Sequence, residues 1–227
     1  MTSQAARSLL PEAGGRNEPE TADGRAARGQ RTRRALAEAM ISLIEEGETS
    51  PTARRIAEHA GVSLRLVFHH FEDVETLFKE AVAVQGERHW RRIRAVPADG
   101  DLRSRVRLVV RSRCDLYDQV APVRRVAANI GRSSPTISAQ LARSRELLRR
   151  QLSDSFAQEL RRHHGGSRRR LLDALDAATS FETWDSLRSI GRSSTETQRV
   201  IELLLHSALT HSSALTDSSA LTESRDK

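Results

Sequence analysis

Cysteine is nearly missing from this 227-residue chain, and Cys114 stands alone. No disulfide can form within it, and a single thiol of this kind is expected to be a small buried apolar residue in a reducing compartment. Aromatic residues make up only 4%, and the apolar positions are filled mainly by Leu, Ala and Val, which helices accept more readily than sheets require. Lysine occurs only at Lys79 and Lys227. No run approaches the roughly 18 consecutive apolar residues of a membrane span, and the N-terminus lacks the charged-then-apolar pattern of a signal peptide. These absences predict an all-α, cytoplasmic protein without a membrane partner.

What is present is arginine. The formal net charge is +7, and the sequence pI is near 10.9. That balance fits a polyanionic partner, although a basic pI alone also fits acidic lipid or plain solubility. The bias to arginine suits bidentate phosphate contacts, but a GC-rich coding sequence is the favoured explanation of it. Placement of the charge has to decide.

Residues 1–27 are rich in Gly, Pro, Ala and charge, without apolar periodicity, and are expected to form a disordered tail. From Arg28 to Glu46, Leu36, Ala39, Met40, Leu43 and Ile44 fall at helical spacing, and Gly47 follows as a stop. Thr52 to Ala60 and Leu64 to His70 read as two short helices joined at Gly61-Val62-Ser63, with Thr52 and Ser63 as N-caps. Asp73 can cap a longer helix running to about Ala95, before Pro97-Ala98-Asp99-Gly100. Further amphipathic segments lie at about 101–119, 122–131, 136–163, 168–190 and 195–210, divided by Pro122, by 131–135, by Gly165-Gly166 and by 191–194. The end repeats Ser-Ala-Leu-Thr at Ser207, Ser213 and Ser219, too polar for a solenoid, and 213–227 is expected to be a second disordered tail.

Two helices cross steeply only where the first offers a small residue at the crossing and the turn tolerates a left-handed conformation. Ala57 and Gly61 stand in those places. Ile56, Ala60, Val62 and Val67 supply the inward apolar set, while Arg54, Arg55, Arg65, His69 and His70 stay polar. This is the pattern of a helix-turn-helix at 52–71.

The segment GETSPTARRIAEHAGVSLRLVFHHFEDVETLF resembles the DNA-binding part of TetR-family transcriptional regulators. Gly47, Thr52, Ile56, Ala57, Gly61, Val62, Ser63, Phe68, His70 and Phe71 carry the likeness, which spans about 29 to 89. The departures are Glu48 in place of an aromatic, Val74 in place of a frequent phosphate-contacting Lys, and acids at Glu72, Asp73 and Glu75.

The resemblance implies an N-terminal three-helix DNA-binding domain at 28–89, followed by a helical-bundle sensing and dimerisation domain at 90–212. It implies that Ser63 to His70 enters the major groove, where base edges present a distinct pattern for each pair. Arg65 is then the candidate for a guanine contact, and Leu64 or Leu66 for a thymine methyl, with packing beneath the neighbouring helices open for both leucines. Thr52, Ser63, His69 and His70 are candidates for phosphate. Arg25, Arg28, Arg31, Arg33 and Arg34 form a run without an intervening acid, and Arg28 is the strongest candidate there for a backbone contact.

A single recognition helix reads too few base pairs for genomic specificity, so a homodimer on a palindromic operator is expected. Phe181, Trp184, Leu187 and Ile190 recur every three residues, and Val200, Leu203, Leu204 and Ala208 make a second stripe. Phe181, Trp184, Leu187, Leu203 and Leu204 are the dimerisation candidates, with ordinary intrachain core as the alternative. Trp90, Leu116, Tyr117, Val126, Ile130 and Phe156 are candidates for the wall of an effector pocket, with plain core packing as the favoured alternative for each. Repression released by a small-molecule effector follows from the resemblance.

Two rival classes stand against this reading. No paired catalytic groups, phosphate-cradling Gly-rich loop or metal-ligand spacing stands out, so an enzyme is not expected, nor a cofactor or metal. His163 and His164 are adjacent and diverge by about 100° on a helix, which denies them one shared metal. A helical adaptor that has lost DNA binding is the second rival, opposed by the basic run at Arg28 to Arg34.

Overall fold

Leu36, Met40, Leu43 and Ile44 are all buried along one stripe of the first helix, α1 (Ala22–Glu45). The computed structural model describes residues 22–90 and 100–211, and every regular element among them is helical. Helix α1 starts inside the stretch expected to be a tail. Residues 25–28 are exposed, and the alanines at positions 26 and 27 let a nucleated helix extend backwards at little cost. Positions 1–21 of the expected N-terminal tail and all of 213–227 lie outside the described residues.

Next come α2 (Ala53–His59), α3 (Leu64–His70) and α4 (Val74–Trp90). Asp73 caps α4 by accepting the Thr76 N–H at 2.7 Å. The helix expected to run to about Ala95 is described as far as Trp90, whose side chain lies outside the described set, and 91–99 also lie outside it.

Pro122 does not divide its segment. Helix α5 runs unbroken from Leu102 to Ile130 with Pro122 inside it, about 44 Å at 1.5 Å per residue. A mid-helix proline forfeits one backbone hydrogen bond, at roughly 3 kcal/mol. Here Ala121, Val123, Val126 and Ala127 are buried on both sides of it, and that burial holds the helix together.

The expected helix 136–163 is α6 (Pro135–Ser155), followed by the single turn α7 (Ala157–Leu160). The expected helix 168–190 is two helices, α8 (Gly165–Ala178) and α9 (Phe181–Ser189). The break falls where the Ser180 hydroxyl accepts the Thr183 N–H at 3.1 Å, an N-cap inside an apolar run. Helix α10 (Ser194–Thr210) opens on a capping box formed by Ser193 and Glu196.

The buried side chains form two clusters. The first joins α1 to α4 with Val123, Val126 and Ala127 of α5 and Ile137 of α6. The second joins the N-terminal part of α5 with α6 to α10. Helix α5 is common to both, and α6 lies beside it along much of its length, so the α5–α6 corner is packed directly against α1 and α4.

Three aromatics pin α5 to α9. The Tyr117 and Phe181 ring centroids are 5.5 Å apart, Phe181 and Trp184 5.5 Å, and Tyr117 and Trp184 5.9 Å. Elsewhere a buried ion pair joins α5 to α7. Arg105 donates to both Glu159 carboxylate oxygens, at 3.0 and 2.6 Å, and to the Ser155 carbonyl at 2.8 Å.

Candidate nucleic-acid interface

The turn between α2 and α3 is built as its residue types require. Gly61 has φ +66°, the left-handed region where a Cβ is strained. The Gly61 and Val62 N–H groups return to the Glu58 and Ala57 carbonyls at 3.2 and 3.0 Å, closing α2. Ala57 is buried at the crossing, beside Ile56, Val67 and Phe71.

Both cap residues use their hydroxyls locally. The Thr52 oxygen accepts the Arg55 N–H at 3.3 Å and the Ser63 oxygen accepts the Leu66 N–H at 3.2 Å. Their hydroxyl hydrogens are free to point outward, because a cap employs the oxygen as acceptor.

Helix α3 turns Val67 inward and four side chains outward. Leu64 and Phe68 are 42% and 52% exposed and are joined on that face by Arg65 and His69. These positions are i, i+4 pairs one step apart, so they form one continuous face. Arg65 is in no ion pair among the described residues. Leu66 and His70 are half-buried at the margin, which places Leu64 before Leu66 as the side chain with an open path to a base.

Phe68 is not among the expected DNA contacts, yet it is the more exposed of the two large hydrophobic side chains on this face. The available signal was the spacing: an aromatic four residues after Leu64 on a helix whose inward positions are already filled.

The arginine run divides by role. Arg33 is turned into the protein: it donates to the His70 carbonyl and, at 3.1 Å, to Glu80, and its guanidinium lies 4.2 Å from the Phe71 ring centroid. It fixes the end of α3 against α1 and α4. Arg34 pairs with Glu38 and Glu87, and Arg88 with Glu38, in an exposed network between α1 and α4. Arg25, Arg28 and Arg31 are exposed at the start of α1.

Burial holds the His70 imidazole below its ordinary value, and the charges of His69 and Arg33 add to the effect. It is therefore a neutral hydrogen-bonding group near neutral pH. His69 meets it edge to face, with centroids 5.1 Å apart.

Residues 35–81, which hold this face, match the profile of bacterial regulatory proteins, tetR family. That segment is similar to the DNA-binding part of the tetR family of bacterial regulatory proteins. Solved structures share the TetR-like fold over most of the molecule. A transcriptional regulator from Rhodococcus sp. Rha1 aligns at TM-score 0.65 and 19% identity, over 79% of this chain and 97% of its own. A protein assigned to the TetR-family regulators, also from Rhodococcus sp., gives 0.62 at 15% identity, over 79% and 100%. One from Pseudomonas aeruginosa PAO1, assigned as a transcriptional regulator, gives 0.62 at 21%, over 82% and 94%. At these identities the likeness is one of fold. No curated protein sequence matches the chain. A TetR-family regulator acts by binding DNA, and the matched segment contains the whole exposed face of α3.

The other expected positions separate. Phe181 and Trp184, expected at a dimer face, are buried in the second core by stacking on Tyr117, and Leu187 packs partly against it. Leu203 and Leu204 are 66% and 44% exposed on α10. Of the expected pocket wall, Val126 and Ile130 belong to the first core, while Leu116, Tyr117 and Phe156 belong to the second. Tyr117 lines a cavity between α5, α6, α8 and α9, and Trp90 lies outside the described side chains. No helix among the described residues is long and apolar enough to cross a membrane.

Proposed function

We propose that the chain is a homodimeric, sequence-specific transcriptional repressor of the cytoplasm that binds a palindromic operator and leaves it when a small-molecule effector binds. The observation that carries this reading is the exposed face of α3, where Leu64, Arg65, Phe68 and His69 stand clear of the protein, and the arginines that open α1 are exposed as well. Arg65 reads base edges through its guanidinium fork, and Leu64 meets a thymine methyl. Arg28, Thr52, Ser63 and the two histidines hold the phosphates.

Two copies pair through the outward side of α10, where Leu203 and Leu204 present apolar surface that this chain leaves open. The inward positions of the same helix, Ile201, Leu205 and Leu209, are already buried. Pairing of this kind is isologous and sets two recognition helices at a fixed separation.

The experiment is selection of bound DNA from a random pool by the full chain at fixed salt, followed by titration of the selected sequence over a salt series. A palindrome bound with a steep negative salt slope is the expected result. No retention at low salt would refute the reading in favour of a helical adaptor, and an unselective pool would refute sequence-specific binding.

A further inference from the structure

The cavity between α5, α6, α8 and α9 encloses about 50 Å³, and its walls include Arg113, Tyr117, Arg124, Arg145, Asp176 and Glu182. Two of the three guanidinium groups have acids opposite them. Arg145 lies 2.9 Å from Asp176, and Arg124 lies 3.1 Å from Glu182. Arg113 has none among the described residues. It is 1% exposed, one of its terminal nitrogens donates to the Leu148 carbonyl, and its Nε makes no hydrogen bond.

Tyr117 also contacts Arg113, but burial pushes the tyrosine hydroxyl up, so it stays a neutral phenol. That hydroxyl donates instead to the Thr179 carbonyl at 2.9 Å. The wall therefore holds one positive charge more than it holds negative charges, on a side chain that does not deprotonate. A buried cation without a counter-charge is strongly disfavoured.

We infer that this cavity is the effector site and that its ligand is a small monocarboxylate, which supplies the missing negative charge to Arg113. The inference rests on the effector-release reading above. The guanidinium fork matches a carboxylate in plane, and the idle Nε is one of its prongs. One charge completes the balance, whereas a divalent anion would set surplus negative charge beside Asp176 and Glu182. The volume, against about 30 Å³ for a water in the liquid, holds a molecule of few heavy atoms, of acetate or propionate size.

The site can reach the DNA-binding face through its own walls. Arg113 and Leu148 belong to α5 and α6, the helices whose opposite ends pack on α1 and α4. A ligand that separates α5 from α6 at the cavity moves that corner.

The test uses the full chain, its selected DNA, acetate and propionate, the amides of both acids, and chloride and sulfate at matched ionic strength. The acids are expected to raise Tm by about 3 °C near saturation and to weaken DNA binding at least about tenfold, with no such response to the amides or inorganic anions. Arg113→Met is expected to melt at or above the parent, because it removes an uncompensated charge, and to lose the response to the acids. Should that variant fail to fold, Arg113→Lys keeps the charge without the fork and is expected to respond only at higher acid concentration.

Equal shifts from the acids in parent and Arg113→Met would place binding elsewhere and overturn the inference. Release by the amides without response to the acids would overturn it while leaving the effector reading intact. No response of the parent to either acid overturns it outright. If a metabolite screen then also finds no compound that releases the DNA, the effector reading falls as well.

Discussion

The Ser134 hydroxyl donates a hydrogen bond to the Glu75 carboxylate while its oxygen accepts the Ile137 N–H at 3.2 Å. One side chain thus caps α6 and ties it to the first turn of α4, the helix that follows α3. Loss of the cap in Ser134→Ala should cost about 1 kcal/mol in urea unfolding. In a double-mutant cycle with Glu75→Ala the pair should show a coupling of about 1 kcal/mol. Additive effects within error would mean that the contact joins the two helices in geometry but not in energy.

Arg65 and Arg28 are expected to differ in kind. Arg65→Ala should relax sequence choice at one position of the half-site and cost about 1–3 kcal/mol there, whereas Arg28→Ala should weaken all sequences alike and reduce the salt slope by about 1. Competition titrations with point-substituted DNA separate these outcomes. Identical profiles for the two variants would remove Arg65 from base reading.

The buried pair Arg105–Glu159 should behave as an acid-sensitive joint. Burial pushes the Glu159 carboxyl up, but the hydrogen bonds and charge of Arg105 outweigh this and hold it below the usual 4.5. Its folded value is therefore lower than its unfolded one. The stabilisation is complete above the unfolded value and is lost as pH falls through the folded value. Melting temperature should drop more steeply below about pH 4.5 in the parent than in Glu159→Gln. At neutral pH, Glu159→Gln should cost about 3–5 kcal/mol by leaving Arg105 buried without its partner, and Arg105→Met with Glu159→Leu should recover much of that.

Leu203→Glu together with Leu204→Glu should turn a dimer into monomers in sedimentation without lowering the monomer's helix content, because both side chains point away from the chain's own core. Unchanged mass would move the pairing face elsewhere.

Cys114 is buried, and burial pushes its thiol up to about 12, with Asp118 and Asp115 adding to the effect. Iodoacetamide at pH 8 should leave it unmodified until the protein is unfolded. Rapid labelling of the native chain would show that α5 opens locally.

The helix-turn-helix was legible because each of its positions is constrained on its own: Ala57 by a crossing, Gly61 by a left-handed turn, Thr52 and Ser63 by capping. Longer segments were less legible where tertiary packing overrode a local signal. Pro122 reads as a break, but the apolar residues around it are buried in two cores and hold α5 together. Ser180 reads as part of a helix, because the apolar period continues through it, yet it is the N-cap that starts α9 anew just after α8 has closed. Phe181 and Trp184 have the spacing of a face, and spacing cannot tell whether the face meets Tyr117 of the same chain or a second copy. The Arg113 charge was hidden entirely: among 30% charged residues, nothing local marks the one that folding buries without an acid opposite it.

Val123, Val126, Ala127 and Ile137 complete the hydrophobic cluster beneath α1 to α4. The DNA-reading segment is therefore not a detachable cartridge. Grafted onto a foreign sensor after Trp90, it would carry an uncovered apolar seam and tend to aggregate. A working chimera has to bring the α5–α6 corner along, or redesign the seam to match the corner of its new host.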